Sequence, residues 1–255
     1  MKILAIGDVI GSPGRTYLKE NLKNIKKEYN IDFIIANGEN SSGGLGMNLK
    51  SATELFDSGI NAITLGNHTW RKKEILKVID DSRVIRPINY LDNTPGKGYR
   101  IFNFNGKQIL IINAVGRIYM DPASNPFIAV KDTVNDLIDK VDIIIVDFHA
   151  EATSEKKAMG FLLDGKVNLV FGTHTHVQTA DDIILPKGTA YITDIGMTGP
   201  KDSIIGADKS VVITSFLTEI PEKRPVASGE CIFNGVIIDI DDNTNKTTSI
   251  SRINL

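Results

Sequence analysis

The chain contains four histidines, His68, His149, His174 and His176, and each falls where a strand-like apolar run gives way to a loop. They sit in short motifs: Gly66-Asn67-His68, Phe148-His149-Ala150-Glu151 and Gly172-Thr173-His174-Thr175-His176. Two further polar breaks of the same kind, Gly7-Asp8 and Gly38-Glu39-Asn40, add carboxylates and a carboxamide. Imidazole, carboxylate and amide oxygen together make a metal site. A lone buried histidine is more often a satisfied core or helix-cap residue; four in one topological position argue the other way. In His174-Thr175-His176, alternate residues of an extended segment would point the same way and present two imidazoles to one cavity. Two neighbouring cations would also need a bridging carboxylate, and Glu39 is the candidate. Two metals roughly 3.5–4 Å apart can hold a hydroxide between them and clamp a phosphoryl group during in-line displacement. Phosphoester hydrolysis is therefore the reaction most natural to this set.

The elements that must position these residues follow a rhythm from residue 2 to about 176: a β-branched run, a polar break, then helical spacing. That rhythm reads as an α/β layered fold, a β-sheet core flanked by helices. The periodicity predicts strands at 2–7, 32–36, 61–65, 142–147 and 167–172, and helices at roughly 13–28, 48–58, 71–80, 128–139 and 153–163. Ser12 is placed to cap the first helix, with Pro13 in its first turn. Asn105-Gly106 marks a hairpin, and a second turns through Asp241 to Lys246, pairing the run ending at Ile240 with Thr247–Ile253. In open α/β sheets, ligands bind at the carboxyl ends of the strands, so the polar breaks should converge along one sheet edge. The segments near 116–127 and 196–230 read as connecting loops or a small cap over the site. Gly43-Gly44-Leu45-Gly46 lacks dinucleotide-fingerprint spacing and reads as a flexible loop beside the cluster. Trp70 could stack on a base or simply pack.

The 255 residues are expected to form a single domain. A net charge of −2 gives no basic field able to track a nucleic-acid backbone, so a nucleotide ligand must be held locally and no extended nucleic-acid binding is expected. The single cysteine, Cys231, rules out an intrachain disulfide and a thiolate cluster, fits a reducing compartment, and reads as a small buried hydrophobe. No apolar stretch approaches membrane-spanning length and no signal peptide core is present, so a cytoplasmic protein is expected. Ile204-Ile205 and Phe216-Leu217 are apolar loop residues that a homo-oligomeric contact would bury.

The order Asp8, Gly38-Glu39-Asn40, Gly66-Asn67-His68, His149 and Gly172-Thr173-His174-Thr175-His176 resembles the calcineurin-like metallophosphoesterases. Their usual pattern is D-x-H, G-D, G-N-H-[DE], a separate His, and G-H-x-H. Here Ile10 stands where the histidine of D-x-H would be, Glu39 replaces the bridging Asp, and Thr173 precedes His174. These departures, with the stretches Gly7–Arg15, Asn37–Asn40, Phe148–Lys156 and Gly172–Asp181, look like the YmdB-like subfamily of bacterial metallophosphoesterases, across nearly the whole chain.

The resemblance implies that Asp8, Glu39, Asn40 and His176 hold one divalent metal, and that Glu39, Asn67, His149 and His174 hold the other. Asn40 would compensate for the histidine lost at Ile10. A mixed oxygen and imidazole shell suits iron or manganese, while raw affinity keeps zinc in play. His68 is left without a metal in this assignment and is expected to be the general acid; the alternative is that it hydrogen-bonds a substrate oxygen or orients Asn67. Arg15 is a candidate for stabilising charge on the substrate, or an ordinary solvated arginine in a helix's first turns. The resemblance further implies hydrolysis of 2′,3′-cyclic nucleotides such as 2′,3′-cAMP by a metal-bridging hydroxide, and a regulatory role in bacterial cells. Two alternatives stand beside it. One is a metal-dependent amidohydrolase, whose His-x-His pair would come at the first strand of a β/α barrel; the other is a non-catalytic metal-binding regulator acting through protein or RNA contacts.

Overall fold

The apolar runs that open the chain have no polar face: Ile3–Ile6 and Phe33–Ala36 are buried on both sides. Strands of that kind need cover above and below. The structure, a computed structural model, describes residues 1–255 and supplies that cover with two stacked sheets, each backed by helices.

The first part of the chain lays down β1 (Lys2–Ile6), β2 (Asp8–Val9), β3 (Phe33–Asn37), β4 (Ala62–Thr64) and β5 (Val84–Ile85), with α1 (Gly11–Glu28) and α2 (Leu49–Asp57) between them. The middle builds a second sheet from β6 (Tyr99–Phe104), β7 (Lys107–Val115), β8 (Ile143–His149), β9 (Leu169–Thr173), β10 (Ile183–Ile184) and β11 (Ala190–Ile192), with α3 (Pro126–Leu137) and α4 (Thr153–Leu163). The chain then returns to the first sheet through β12 (Met197–Pro200), β13 (Cys231–Ile240) and β14 (Thr247–Asn254), with α5 (Lys209–Thr218) between β12 and β13. The first sheet runs β2-β12-β13-β1-β3-β4-β5 with β14 paired to β13; the second runs β10-β11-β9-β8-β7-β6.

Side chains alternate across each strand, and the alternation divides the core. Ile3, Ala5, Phe33 and Ile35 face Ile109, Ile111, Ile143, Ile145 and Phe171 between the sheets. Leu4, Ile6 and Ile34 face outward onto Leu18, Leu22 and Ile25 of α1. Ile112, Ile144 and Val146 do the same against Val130, Val134 and Met159 of α3 and α4. β1, β3, β4 and β5 run parallel, as do β7, β8 and β9, so their carboxyl ends are free to deliver side chains to a shared edge.

Both predicted hairpins form, β6–β7 through Asn105 and Gly106 at φ +50° and +78°, and β13–β14. Three local expectations need correction. α1 starts at Gly11 rather than behind a Ser12 cap: the N-cap is Ile10, without a side-chain cap bond. Here backbone bonds fix the entry, Ile10 N to Thr198 O at 2.9 Å and Gly11 N to Asn40 O at 2.9 Å. The helix expected over 71–80 is only a 3₁₀ segment, Lys73–Lys77. Its spacing is real, since Ile75, Val78 and Ile79 all enter the core, but the chain must turn at once to reach β5 at Val84. Cys231 is half-buried at the start of β13, not a core hydrophobe. The segment 196–230 contributes β12 to the first sheet, then α5 and an extended return. No helix is long and apolar enough to cross a membrane.

Phe33 sits at the centre of the intersheet layer, its ring edge-on to Phe102 and Phe104 at 5.5 and 5.3 Å. Phe33→Ala should therefore destabilise the fold by about 3–5 kcal/mol, and Phe33→Leu by distinctly less, measured as the shift in urea midpoint at constant slope.

Candidate metal centre

The two sets of parallel strands end at the same edge of the sandwich, and their polar breaks meet there. Asp8 opens on β2, Glu39 and Asn40 follow β3, Asn67 and His68 follow β4, His149 is the last residue of β8, and His174 and His176 follow β9. Asp8, Glu39, Asn40 and His149 are buried.

Their donor atoms fall into two groups that share one oxygen. In the first, Nε2 of His176 lies 3.6 Å from Asp8 Oδ1, and the Asn40 amide nitrogen lies 3.4 Å from Asp8 Oδ1, 3.4 Å from Glu39 Oε1 and 3.1 Å from His176 Nε2. In the second, Nε2 of His149 lies 3.1 Å from Glu39 Oε1, 2.9 Å from Asn67 Oδ1 and 3.0 Å from His174 Nδ1. The structure thus brings together all seven expected ligand residues. His68 stands beside them, Nδ1 at 2.8 Å from Asn40 Oδ1, with its backbone N–H donating to Glu39 Oε2 at 2.8 Å.

Each imidazole is oriented from behind, which frees one nitrogen for the centre. Ile205 O accepts from His176 Nδ1 at 2.8 Å, and Glu151 Oε2 lies 3.1 Å from His174 Nε2. The longest relay backs His149. Thr173 Oγ1 donates to Asp147 Oδ1 at 2.7 Å, so its lone pairs accept from His149 Nδ1 at 2.9 Å. Asp147 is fully buried and also accepts from Thr64 Oγ1 at 2.5 Å and Asn37 Nδ2 at 3.2 Å. Burial pushes its carboxyl up to about 6, against those hydroxyls and His149.

The His-x-His pair is not extended, contrary to the expectation from alternation. β9 ends at Thr173, and His174 and His176 have φ of +104° and +64°. Left-handed backbone at two non-glycine residues is strained and persists only when its surroundings hold it. The holder is Asp194, whose Oδ2 accepts from Thr175 N at 3.1 Å and Thr175 Oγ1 at 2.8 Å, and from Lys156 Nζ at 2.7 Å. Lys156 and Asp194 are both buried. His174 N also donates to Asp8 Oδ2 at 3.2 Å. Gly66 makes room for the ligands: a Cβ there would run into the Glu39 carboxylate and the His149 ring.

The donor set fits cations. With its Nδ1 proton given to Thr173, His149 has one N–H at most on Nε2, facing three acceptors. Burial disfavours charge on His149, but Glu39, Asp8 and Asp147 raise its pKa to about 9. Burial and the neighbouring His149 push His174 down to about 3. Burial likewise opposes ionisation of Asp8 and Glu39, yet the imidazoles around them hold both carboxyls below their usual range. His68 is lowered by burial, with Glu39 pulling the other way. No lysine or arginine pairs with Asp8 or Glu39, whose ion-pair partners are histidines alone. Such a convergence of oxygen and imidazole donors is what divalent ions take up, and the Glu39, His149 and His174 donor atoms lie within 4.8 Å of one another.

Arg15 is the expected site residue that the structure holds apart. Its Nε donates to Glu54 Oε2 at 2.5 Å, and its guanidinium also bonds the Ser41 carbonyl. The first turns of α1 aim it at α2, so it fixes the Ser41 turn. Trp70 packs against Tyr90, ring centroids 6.0 Å apart. Sequence reasoning missed Asp147, Lys156 and Asp194 as supports; the first was detectable as an acid inside an otherwise apolar strand, Ile143–Phe148. Beside the centre lies a cavity of about 610 Å³. Asn40, His68 and His176 face it, and the Gly43–Leu45 loop and the 204–226 segment contribute its walls.

Two sheets with ligand-bearing strand ends at one edge define a metallophosphoesterase-type hydrolase. A Staphylococcus aureus structure whose description proposes a 5′-nucleotidase shares this fold at a TM-score of 0.61 and 15% identity, covering 99% of this chain and 54% of that one. The chain belongs to the YmdB-like protein family, which it matches over residues 4–253. It is 50% identical to the 2′,3′-cyclic-nucleotide 2′-phosphodiesterase of Bacillus subtilis strain 168, over 99% of this chain and 96% of that protein. A Mycoplasma pneumoniae structure described as a novel phosphatase superposes with a TM-score of 0.95 at 40% identity, covering 100% of this chain and 93% of that one.

Two substitutions test the supports. Thr173→Val keeps the shape and removes the hydroxyl between Asp147 and His149; metal affinity by titration calorimetry should fall about 10–100-fold, and Thr173→Ser should restore it. Lys156→Met strands the buried Asp194 carboxylate and should cost about 3–5 kcal/mol of stability, read from denaturant unfolding.

Proposed function

We propose that this chain is a dinuclear metal-dependent phosphodiesterase that hydrolyses 2′,3′-cyclic nucleotides such as 2′,3′-cAMP, with His68 as its general acid. The observation that carries the reading is the division of seven donors into two groups sharing Glu39 Oε1, with His68 beside both and facing the cavity. The activity of the half-identical Bacillus subtilis relative supports the substrate class.

Asp8, Glu39, Asn40 and His176 would hold one ion; Glu39, Asn67, His149 and His174 would hold the other. Asn40 would join through its amide oxygen, after a half-turn of the amide that now points its nitrogen at the other donors. When bound, the ions supply Lewis-acid polarisation of the phosphoryl oxygens and activation of water. The oxygen-rich first group suits manganese or iron, with zinc favoured by affinity alone.

The chain's own residues do the rest. In either position of its amide, Asn40 lies with Glu39 against His68 Nδ1, which leaves Nε2 as the atom that can deliver a proton. As water adds to phosphorus and one ring P–O bond breaks, His68 protonates the departing ribose oxygen, which would otherwise leave as a poor alkoxide. The buried His149–Thr173–Asp147 relay keeps one tautomer in place throughout. Arg15, bound to Glu54 and Ser41, is given no part. The amidohydrolase alternative needs a β/α barrel and falls with the two-sheet fold.

The test is initial-rate hydrolysis of 2′,3′-cAMP, 3′,5′-cAMP and an aryl phosphodiester by protein stripped of metal and reloaded with Mn²⁺ or, anaerobically, Fe²⁺. Metal-dependent turnover favouring the 2′,3′-cyclic ester is expected. Two bound ions with no turnover of any of the three would overturn the reading in favour of a metal-binding regulator. His68→Ala should lower kcat by about 10²–10⁴-fold while both ions stay bound.

A further inference from the structure

The cavity beside the centre carries more positive charge than a cyclic nucleotide requires. Lys72, Lys223 and Arg224 line it, and its 18 lining residues include no aspartate or glutamate. Nearby cations in the same part of the chain are paired: Arg71 with Asp121, Lys201 with Glu230, Lys209 with Asp202. The three in the cavity have no carboxylate partner. Lys72 is half-buried, and its stem packs so closely on Gly46 that a Cβ there would lie 2.7 Å from Lys72 Cγ. The Arg224 guanidinium lies 5.7 Å from the Phe216 ring centroid.

A 2′,3′-cyclic nucleotide has one negative charge, on the phosphate that must sit at the metal centre, and its nucleoside is neutral. Lys72 is half-buried and Lys223 and Arg224 are exposed along the cavity wall, and such a substrate offers none of the three a second charge to bind. We propose that the cavity is built for a nucleoside 2′,3′-cyclic phosphate bearing a second phosphate on O5′, with Lys72, Lys223 and Arg224 holding that phosphate. The inference rests on the phosphodiesterase reading above. Charge-assisted hydrogen bonds from lysine and arginine are the ordinary means of holding a phosphate. Leu45, Ile205 and Phe216 give the same cavity apolar surface for the base. About 610 Å³ falls in the range of pockets that enclose ligands of this size. The same chemistry has two sources, a free mononucleotide with a 5′-phosphate, or the 3′-terminal nucleotide of an RNA whose O5′ carries the preceding linkage. A net charge of −2 fits either, since one extra phosphate is read and no backbone is tracked.

The experiment compares kcat/KM of the Mn²⁺-loaded protein on 2′,3′-cAMP, on its 5′-phosphorylated form and on the dinucleotide ApA ending in a 2′,3′-cyclic phosphate. It is repeated in Lys72→Gln, Lys223→Gln, Arg224→Gln and the triple variant, with 2′,3′-cAMP as the internal reference for each protein. The wild type should favour at least one 5′-phosphorylated substrate by about tenfold or more, the preference should shrink with added salt, and the triple variant should bring the ratio close to one. Equal preference for both would mean that the phosphate alone is read; preference for the dinucleotide alone would point to RNA ends. A wild-type ratio of one, or a ratio that survives the triple substitution, would overturn the proposal while leaving the phosphodiesterase intact. Failure to cleave any of the three would instead overturn the phosphodiesterase reading, and this one with it.

Discussion

Two carboxylates, Asp8 and Glu39, are taken wholly out of water at the edge where the strands end, and neither has a lysine or arginine beside it. Buried charge without a counter-charge is among the most costly arrangements a fold can contain. The imidazoles of His149, His174, His176 and His68 ring those oxygens and share what protons they have. Much of the surrounding structure can be understood as the scaffold such an arrangement requires: rigid strands to bring the groups together, a glycine at 66 so that nothing intervenes, and buried supports that prevent the rings from turning away.

Those supports come from both sheets. Asp147 and Thr173 belong to β8 and β9, Thr64 to β4, and Asn37 to β3, so a single hydrogen-bonded cluster crosses the intersheet gap directly under the ligands. The Lys156–Asp194 pair joins α4 to the segment after β11 and holds Thr175, the residue between two histidines in strained conformations. Precision at the centre is thus set by the packing of the two sheets against each other, more than by any one loop.

Much of this was legible in the sequence, for identifiable reasons. Strands buried on both faces produce uninterrupted apolar runs, and each run ends abruptly at the polar residue it delivers, so Asp8, Glu39, Asn67, His149 and His174 could be located without coordinates. Asn105-Gly106 declared its hairpin because few other pairs adopt positive φ twice. What stayed hidden was decided by tertiary contacts. β2, β5 and β10 are two residues long, too short for any periodicity to register. Arg15 looked available because its partners, Glu54 and the Ser41 carbonyl, are distant in sequence. Alternation along a strand misled at His174-Thr175-His176, since the rule holds only while the backbone stays extended and here Asp194 imposes a different path.

The order in which the chain fills the first sheet has a consequence for how the protein comes into being. β1 needs β13 on one side, and β2, which carries Asp8, is hydrogen-bonded along its length only to β12, both supplied by the final quarter of the chain. During synthesis the amino-terminal strands emerge with one edge unpaired, and they must wait for some two hundred residues before their neighbours exist. Long-range pairing of this kind is slow and leaves exposed edges open to wrong partners. The second sheet's local hairpin and parallel core need no such wait and can fold first, whereas the edge that carries Asp8 closes only once β12 and β13 are present.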